Sequence, residues 1–247
     1  MSNLKNKILV VTVSKTTVNP KFSRFHSDVA KGLLEQEGIS YDWLVLRNDF
    51  PLDHNLNTAR KMVLEDDYAA LLSLEDDIVL HDQHGIAKLV DRLEDADIAL
   101  APYRARPGAY GYPDSLCLLT EANSIVSFNL ESMVRYYKLL RWGPFRVAGG
   151  GLGCTLISRR ILERTDFPKG NFKETDIRFF TKVHELGGKV MCVPIDIGHW
   201  DDGLKEELRI NDKWFEDLTD LRLAATMLAR QELAAMRDTH NKESPIP

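Results

Sequence analysis

Leu71-Leu72-Ser73-Leu74-Glu75-Asp76-Asp77-Ile78-Val79-Leu80 sets three consecutive carboxylates inside an otherwise apolar, strand-like run. Burying unpaired carboxylates is costly, so such a run needs a reason. A strand that leaves a core and ends in acidic side chains at a sheet's carboxyl edge presents oxygen ligands. Hard divalent cations prefer such ligands, and a cation there would bridge a phosphorylated ligand. The same triplet also suits the start of a solvated loop, so the flanking chain has to decide.

Upstream, Ile8 to Val13 is a β-branched apolar run bounded by polar residues, the pattern of a central strand buried on both faces. Phe25, Val29, Leu33 and Leu34 recur at helical spacing, and the helix closes at Gly38, where glycine takes the left-handed cap conformation. Tyr41 to Leu46 reads as a second strand, and Leu56, Ala59 and Val63 mark a second helix. Tyr68 to Leu74 is then the strand that carries the triplet. Downstream, Ile86, Leu89, Val90 and Leu93 form an amphipathic stripe, followed by a strand at Asp97 to Ala101. This alternation predicts an α/β chain with a mostly parallel, mixed sheet flanked by helices, in which residues 1–102 form a nucleotide-binding half.

The second half changes character. Tyr103 to Pro113 is rich in Pro, Gly and Tyr, the composition of an irregular loop that carries function on a rigid scaffold. Gly149 to Gly153 precedes a strand at Cys154 to Ser158 and a short helix at Arg159 to Arg164, with a turn at Phe167 to Gly170. A helix from Glu174 to Leu186 ends on Gly187-Gly188. Lys189 to Pro194 is a final strand, leading into Asp196-Ile197-Gly198-His199-Trp200-Asp201-Asp202. Trp214, Leu218, Leu221, Ala225 and Leu228 trace a long amphipathic helix to Met236, suited to core packing or to a homodimer contact, and the tail from Asn241 should fray.

At 247 residues and 44% hydrophobic content, one α/β core is the favoured organisation. The formal charge of -5, with both signs interspersed, gives no electrostatic footprint for a polyanion and disfavours a nucleic-acid acceptor. Cys117, Cys154 and Cys192 lack CxxC spacing, and the last two sit in apolar runs as small buried thiols, which fits a reducing compartment. The apolar run at the amino terminus is too brief for a signal peptide, and no run approaches membrane length. A soluble, cytoplasmic protein without a transmembrane segment is expected.

Several motifs bear on chemistry. The glycine cluster precedes a strand, so it does not fit the dinucleotide fingerprint; it suits a tight turn, a close approach of backbone to a ligand, or both. Glu174-Thr175-Asp176 stands at a helix start, where the dipole favours carboxylates, and a carboxylate kept ionised there would serve as a general base toward a hydroxyl. His199 follows the last strand as a hydrogen-bonded structural residue or as a ligand. His81 and His84 have no third ligand nearby in sequence and read as a solvated loop pair. GxSxG is absent, which removes the nucleophile elbow.

Taken in order, the first strand with its polar exit, the Asn57-Thr58-Ala59-Arg60 helix, LEDDIVL, the glycine-rich segment, Glu-Thr-Asp and Gly198-His199-Trp200-Asp201 resemble the GT-A glycosyltransferases, especially the family-two-like group. The match spans about Ile8 to Asp201 by motif order. The resemblance implies a GT-A type catalytic domain over residues 1–203, with 103–203 as its acceptor-side half and 204–247 as a C-terminal helical extension. It implies that Glu75, Asp76 and Asp77 stand for the DxD-like motif, with Glu75 replacing the usual first aspartate. Asp77 and His199 would then hold Mn2+ or Mg2+, with Asp76 and Glu75 nearer the donor. Thr12, Ser14, Asp49 and Arg60 fall at donor-binding positions, although Lys61 replaces the asparagine that follows the family's arginine. Glu174 falls at the catalytic-base position of inverting members, with Asp176 as its competitor, and Gly150 and Gly151 at the acceptor-side turn. The implied reaction is metal-dependent transfer of a sugar from a nucleoside diphosphate sugar to a hydroxyl of a glycan or small molecule, with inversion. The loop from Tyr103 to Pro113 would close over the donor. A sugar nucleotidyltransferase is the enzymatic alternative, but Ser14-Lys15-Thr16-Thr17 lacks the glycine-rich phosphate loop that it needs. A non-catalytic nucleotide-sugar or metal-binding module is the alternative of another class.

Overall fold

The first strand, β1 (Lys7–Ser14), shows why the sheet is covered on both sides. Its even-numbered residues Ile8 and Val10 enter one core, with Ala30, Leu34, Ile86 and Leu89. Its odd-numbered residues Leu9, Val11 and Val13 enter another, with Leu56, Ala59, Val63 and Phe180. Because side chains alternate along a strand, a run apolar at both parities has no solvent face. The computed structural model describes residues 7–14, 20–47, 51–105, 115–119, 125–127, 138–170, 174–201, 203–211 and 213–217.

After β1 come α1 (Pro20–Gln36), β2 (Tyr41–Arg47), α2 (Leu52–Glu65) and β3 (Tyr68–Leu74). Gly38 ends α1 at φ 65°, and Ile39 N donates to Leu34 O, the left-handed close expected at this glycine. Next are β4 (Ile78–Leu80), α3 (Gly85–Arg92), β5 (Ile98–Leu100), β6 (Ser115–Leu119), β7 (Ile125–Ser127), β8 (Phe145–Arg146) and β9 (Gly149–Gly150). The chain continues through β10 (Cys154–Ser158), α4 (Arg159–Leu162), α5 (Thr175–Glu185), β11 (Val190–Cys192), β12 (Ile197–Asp201) and β13 (Glu206–Arg209). The main sheet has the order β2-β1-β3-β10-β5-β11-β8, and two three-stranded sheets, β13-β12-β4 and β7-β6-β9, complete the architecture. β1, β2, β3, β5 and β11 run one way, with β10 and β8 against them. The α/β class and the mostly parallel mixed sheet are those expected.

Three local readings need correction. LEDDIVL is two strands with the carboxylates in the turn between them: β3 stops at Leu74 and β4 starts at Ile78. Gly198-His199-Trp200-Asp201 belongs to a strand, β12, which pairs antiparallel with both β4 and β13. The strand at 190–192 is therefore not the last, and the boundary drawn at residue 203 falls in the turn of the β12–β13 hairpin. The expected helix from Trp214 begins within 213–217; its continuation, the tail, Asp49 and most of the 103–113 loop lie outside the described residues. All three cysteines are buried, and burial pushes the Cys154 thiol up to about 12. No helix among the described residues is long and apolar enough to cross a membrane.

Helices in this layout end where the parallel strands begin, and arginines close those ends. Arg159 donates to Val63 O (2.8 Å), Leu64 O (2.9 Å) and Asp66 O (2.7 Å) at the end of α2. Arg160 donates to the carbonyls of Leu93 and Ala96 beyond α3, and Arg164 to Leu186 O after α5 (2.6 Å). Unsatisfied carbonyls and the negative end of the helix dipole both favour a cation there. Arg159 Nη1 also reaches Tyr68 O at 3.4 Å, so Arg159→Ala strips four carbonyls of a charged donor. It should cost about 2–3 kcal/mol and lower Tm by roughly 5–10 °C in calorimetry, with the sheet's far edge unaffected.

Candidate functional site

The carboxyl edge of the sheet gathers the acidic turn, the glycine turn and the start of α5. Residues 75–77 leave the end of β3, and the turn closes on Ile78 N donating to Glu75 O (3.2 Å). Glu75 N in turn donates to Gly153 O at 2.8 Å, so the glycine segment backs directly onto the carboxylates. Asp77 is fully buried and Asp76 nearly so, at 0% and 3% exposure. Strand β12 lies alongside β4 with His199 opposite Ile78, and Trp200 N donates to Asp77 O (2.7 Å). That register brings His199 Nε2 to 3.2 Å from Asp77 Oδ2.

The second ring nitrogen decides the chemistry of this pair. His199 Nδ1 lies 2.9 Å from the carbonyl oxygen of Arg104. A carbonyl only accepts, so Nδ1 carries a proton and Nε2 is the nitrogen turned toward the carboxylate. Two acceptors facing each other at 3.2 Å are compatible only with a further proton or a cation shared between them. Tyr103 packs edge-on against the ring, with centroids 5.4 Å apart. Its hydroxyl also accepts from Gly153 N at 3.3 Å.

The glycine turn is small because the protein's own side chains need the space. A Cβ at Gly151 would stand 2.0 Å from the Tyr103 hydroxyl oxygen, and one at Gly149 2.3 Å from the Phe180 ring. From α5, Asp176 Oδ2 accepts from Leu152 N at 3.4 Å, and Asp176 lines a small cavity with Gly150, Gly151 and Cys117. Glu174 points elsewhere: it precedes the helix, its side chain is 44% exposed, and its carboxylate takes the Arg178 guanidinium at 2.7 Å. Of the two carboxylates of Glu-Thr-Asp, Asp176 is the one against the glycine turn.

Other expected residues are dispersed. Arg60 donates from Nε to Leu162 O (2.8 Å) and Thr165 O (2.7 Å). Those residues follow Ser158, which pairs with Ala70 near the amino end of β3, so Arg60 serves the opposite edge from the acidic turn. A donor contact does not suit that placement. Asn57 of the same motif exchanges two hydrogen bonds with the Phe167 backbone (2.7 and 3.0 Å) and has a structural part as well. Thr12 is buried on β1, and Ser14 is half-buried at its end. Asp201 Oδ1 accepts from Gly203 N (2.8 Å) and Leu204 N (3.1 Å), turning the hairpin. His81 and His84 each meet a glutamate, Glu207 and Glu37. Among the described residues, no group of three His, Cys, Asp or Glu side chains converges as a cation cage. Sequence reasoning passed over Tyr103 and Arg104 as partners of His199, although the Pro/Gly/Tyr-rich loop that starts there was the available signal.

The protein is thus an α/β domain whose sheet edge joins an acidic turn to a histidine strand and a glycine turn. No protein-family model and no curated protein matches the chain. Solved structures do resemble it. The A197 protein of STIV superposes with a TM-score of 0.51 at 18% identity, covering 84% of this chain and 95% of that one. The catalytic domain of Drosophila β1,4-galactosyltransferase 7, solved with xylobiose, gives 0.48 at 12% identity, over 75% of this chain and 63% of that one. GalNAc-T7, solved with UDP, GalNAc and Mn2+, gives 0.48 at 15% identity, over 80% of this chain and 44% of that one. Likeness at these identities speaks to fold alone.

Proposed function

We propose that the chain is a glycosyltransferase that uses a nucleoside diphosphate sugar and a divalent cation, Mn2+ or Mg2+, and transfers the sugar with inversion to an acceptor hydroxyl. The observation that carries this reading is the His199–Asp77 pair, with Nδ1 held on Arg104 O and Nε2 3.2 Å from a buried carboxylate oxygen. Two ligands of one octahedral ion with bonds of about 2.1 Å lie about 3 Å apart, so the donor set fits. Ions of this kind are held by one or two side chains and take substrate phosphates and water for the rest, which suits a pair rather than a cage. When bound, the cation would act as a Lewis acid toward charge building on the diphosphate.

The chain's own residues supply the remaining steps. Asp76 and Glu75 flank Asp77 on the donor side. Asp176, held by Leu152 N beside Gly150 and Gly151, takes the proton of the acceptor hydroxyl. The acceptor oxygen then bonds to the anomeric carbon as the carbon–oxygen bond to the diphosphate breaks, and the bonding pair leaves with the diphosphate. Attack from the face opposite the leaving group inverts the anomer, which NMR of the product reads directly.

The deciding experiment is a thermal-shift screen of UDP-, GDP-, CDP- and dTDP-sugars with and without Mn2+. A donor at a hundred times its Kd should stabilise by about 2.7 kcal/mol, a rise of roughly 5–10 °C, and only with the metal present. No metal-dependent rise with any of them overturns the reading. A rise with a nucleoside triphosphate and sugar phosphate instead transfers the site to a nucleotidyltransferase.

A further inference from the structure

Arg104 takes part in the site twice, through different atoms. Its backbone carbonyl holds His199 Nδ1, and its guanidinium lies over the indole of Trp214, 5.2 Å from the ring centroid. Trp214 is 6% exposed and sits in the core with Leu116, Leu118 and Leu152. It lies in the first turn of a helical stretch at 213–217, whose start Asn211 caps: Trp214 N donates to Asn211 Oδ1 (2.8 Å) and Phe215 N to Asn211 O (3.1 Å). The segment after β13 is therefore anchored to the residue that orients the histidine.

We propose that Trp214, by seating the Arg104 guanidinium, sets the affinity of the Asp77–His199 pair for a divalent cation and so couples that site to docking of the helical stretch 213–217. The inference rests on the cation reading above. A ligating imidazole needs its other nitrogen bonded to hold tautomer and ring plane, and loss of such an outer partner typically weakens metal binding about 10–100-fold. Here the outer partner is a main-chain carbonyl, so its position depends on what fixes residue 104. One hold is the sheet: Arg104 bridges Leu116, and Cys117 N donates to Tyr103 O at 2.8 Å. The second is the cation–π contact, which reaches Arg104 from the far side of the sequence. A planar guanidinium on an indole is a favourable pairing, and seating it favours one orientation of the residue's carbonyl. With Trp214 docked, the ring presents Nε2 to the cation position; with Trp214 released, the β6 bridge remains but the guanidinium loses its seat, so the carbonyl is held less firmly and the imidazole can change tautomer.

Calorimetric titration of the full chain with MnCl2, without nucleotide, tests this directly. Arg104→Met keeps an aliphatic stem over the indole and removes the charge, and is expected to weaken Mn2+ binding about tenfold. Trp214→Ala should weaken it at least as much, and Trp214→Phe should recover most of the affinity. In the metal-free protein, the 15N shifts of His199 should report Nδ1 protonated in wild type, with the further proton shared between Nε2 and Asp77, and a partly deprotonated Nδ1 in Arg104→Met, a change that mere loosening of the core would not produce. If Trp214→Ala does not fold, Arg104→Met decides. Wild-type affinity and a fully protonated Nδ1 in Arg104→Met overturn the coupling and leave the cation site standing. Absence of Mn2+ heat in wild type overturns the cation reading itself, and the coupling with it.

Discussion

Asp176→Asn should slow sugar transfer by about 10²–10⁴-fold while leaving nucleotide-sugar binding intact, the range that loss of a positioned general base costs. The carboxylate is fixed from two directions: its own helix α5 carries it to the sheet's carboxyl edge, and Leu152 N donates to it across the glycine turn. Asparagine keeps the shape and removes the proton acceptor, so a loss confined to the chemical step is diagnostic. Glu174→Gln is the paired control. Glu174 lies on the solvent side with Arg178, and its substitution should alter the rate only a few-fold. Single-turnover kinetics beside calorimetric donor binding separates the two. A large loss in Glu174→Gln with activity retained in Asp176→Asn would reverse the assignment.

The second large effect belongs to Asp77. Replacing it with asparagine leaves an isosteric side chain in a fully buried place but takes away the anionic oxygen opposite His199 Nε2. The expected result is loss of the Mn2+-dependent rise in Tm, and of transfer, in a protein whose metal-free circular dichroism matches wild type. Removing a ligand itself should exceed the roughly 10–100-fold penalty for removing an outer partner. EDTA treatment of wild type should bring it to the same Tm as the variant. A variant that still gains stability from Mn2+ would move the cation away from this turn.

Much of the scaffold was legible because hydrophobic periodicity is local. Ile8 to Val13, the stripe from Ile86 to Leu93 and Gly38 each report their own state within a few residues. The LEDDIVL break was not, because apolar residues flank it on both sides and the second strand, β4, exists through pairing with the distant β12 once Ile78 N has closed the turn on Glu75 O. The strand character of residues 197–201 was hidden for the same reason, since it exists through pairing with β4 and β13. In the candidate site, the residue types were readable and their directions were not. Glu174 and Asp176 are two apart, but one precedes the helix and the other lies in its first turn, which aims them differently. The Asn57 and Arg60 motif looked like ligand chemistry because side chains that bind backbone carbonyls are the same ones that bind phosphates and sugars. A main-chain carbonyl such as that of Arg104 leaves no mark in the sequence.

The arginines that close α2, α3 and the end of α5 divide the molecule into a rim that is bolted and a rim that is open to change. Every guanidinium-to-carbonyl bond from Arg159, Arg160 and Arg164 lies at the edge where the parallel strands begin, while the turns with candidate chemistry leave the other edge. Insertions or loop exchanges at the open rim would then be absorbed without loosening the helices, because their ends are secured on the far side. For anyone grafting new loops onto this chain, the turns at the carboxyl edge are the place to do it, and these three arginines are the residues to leave untouched.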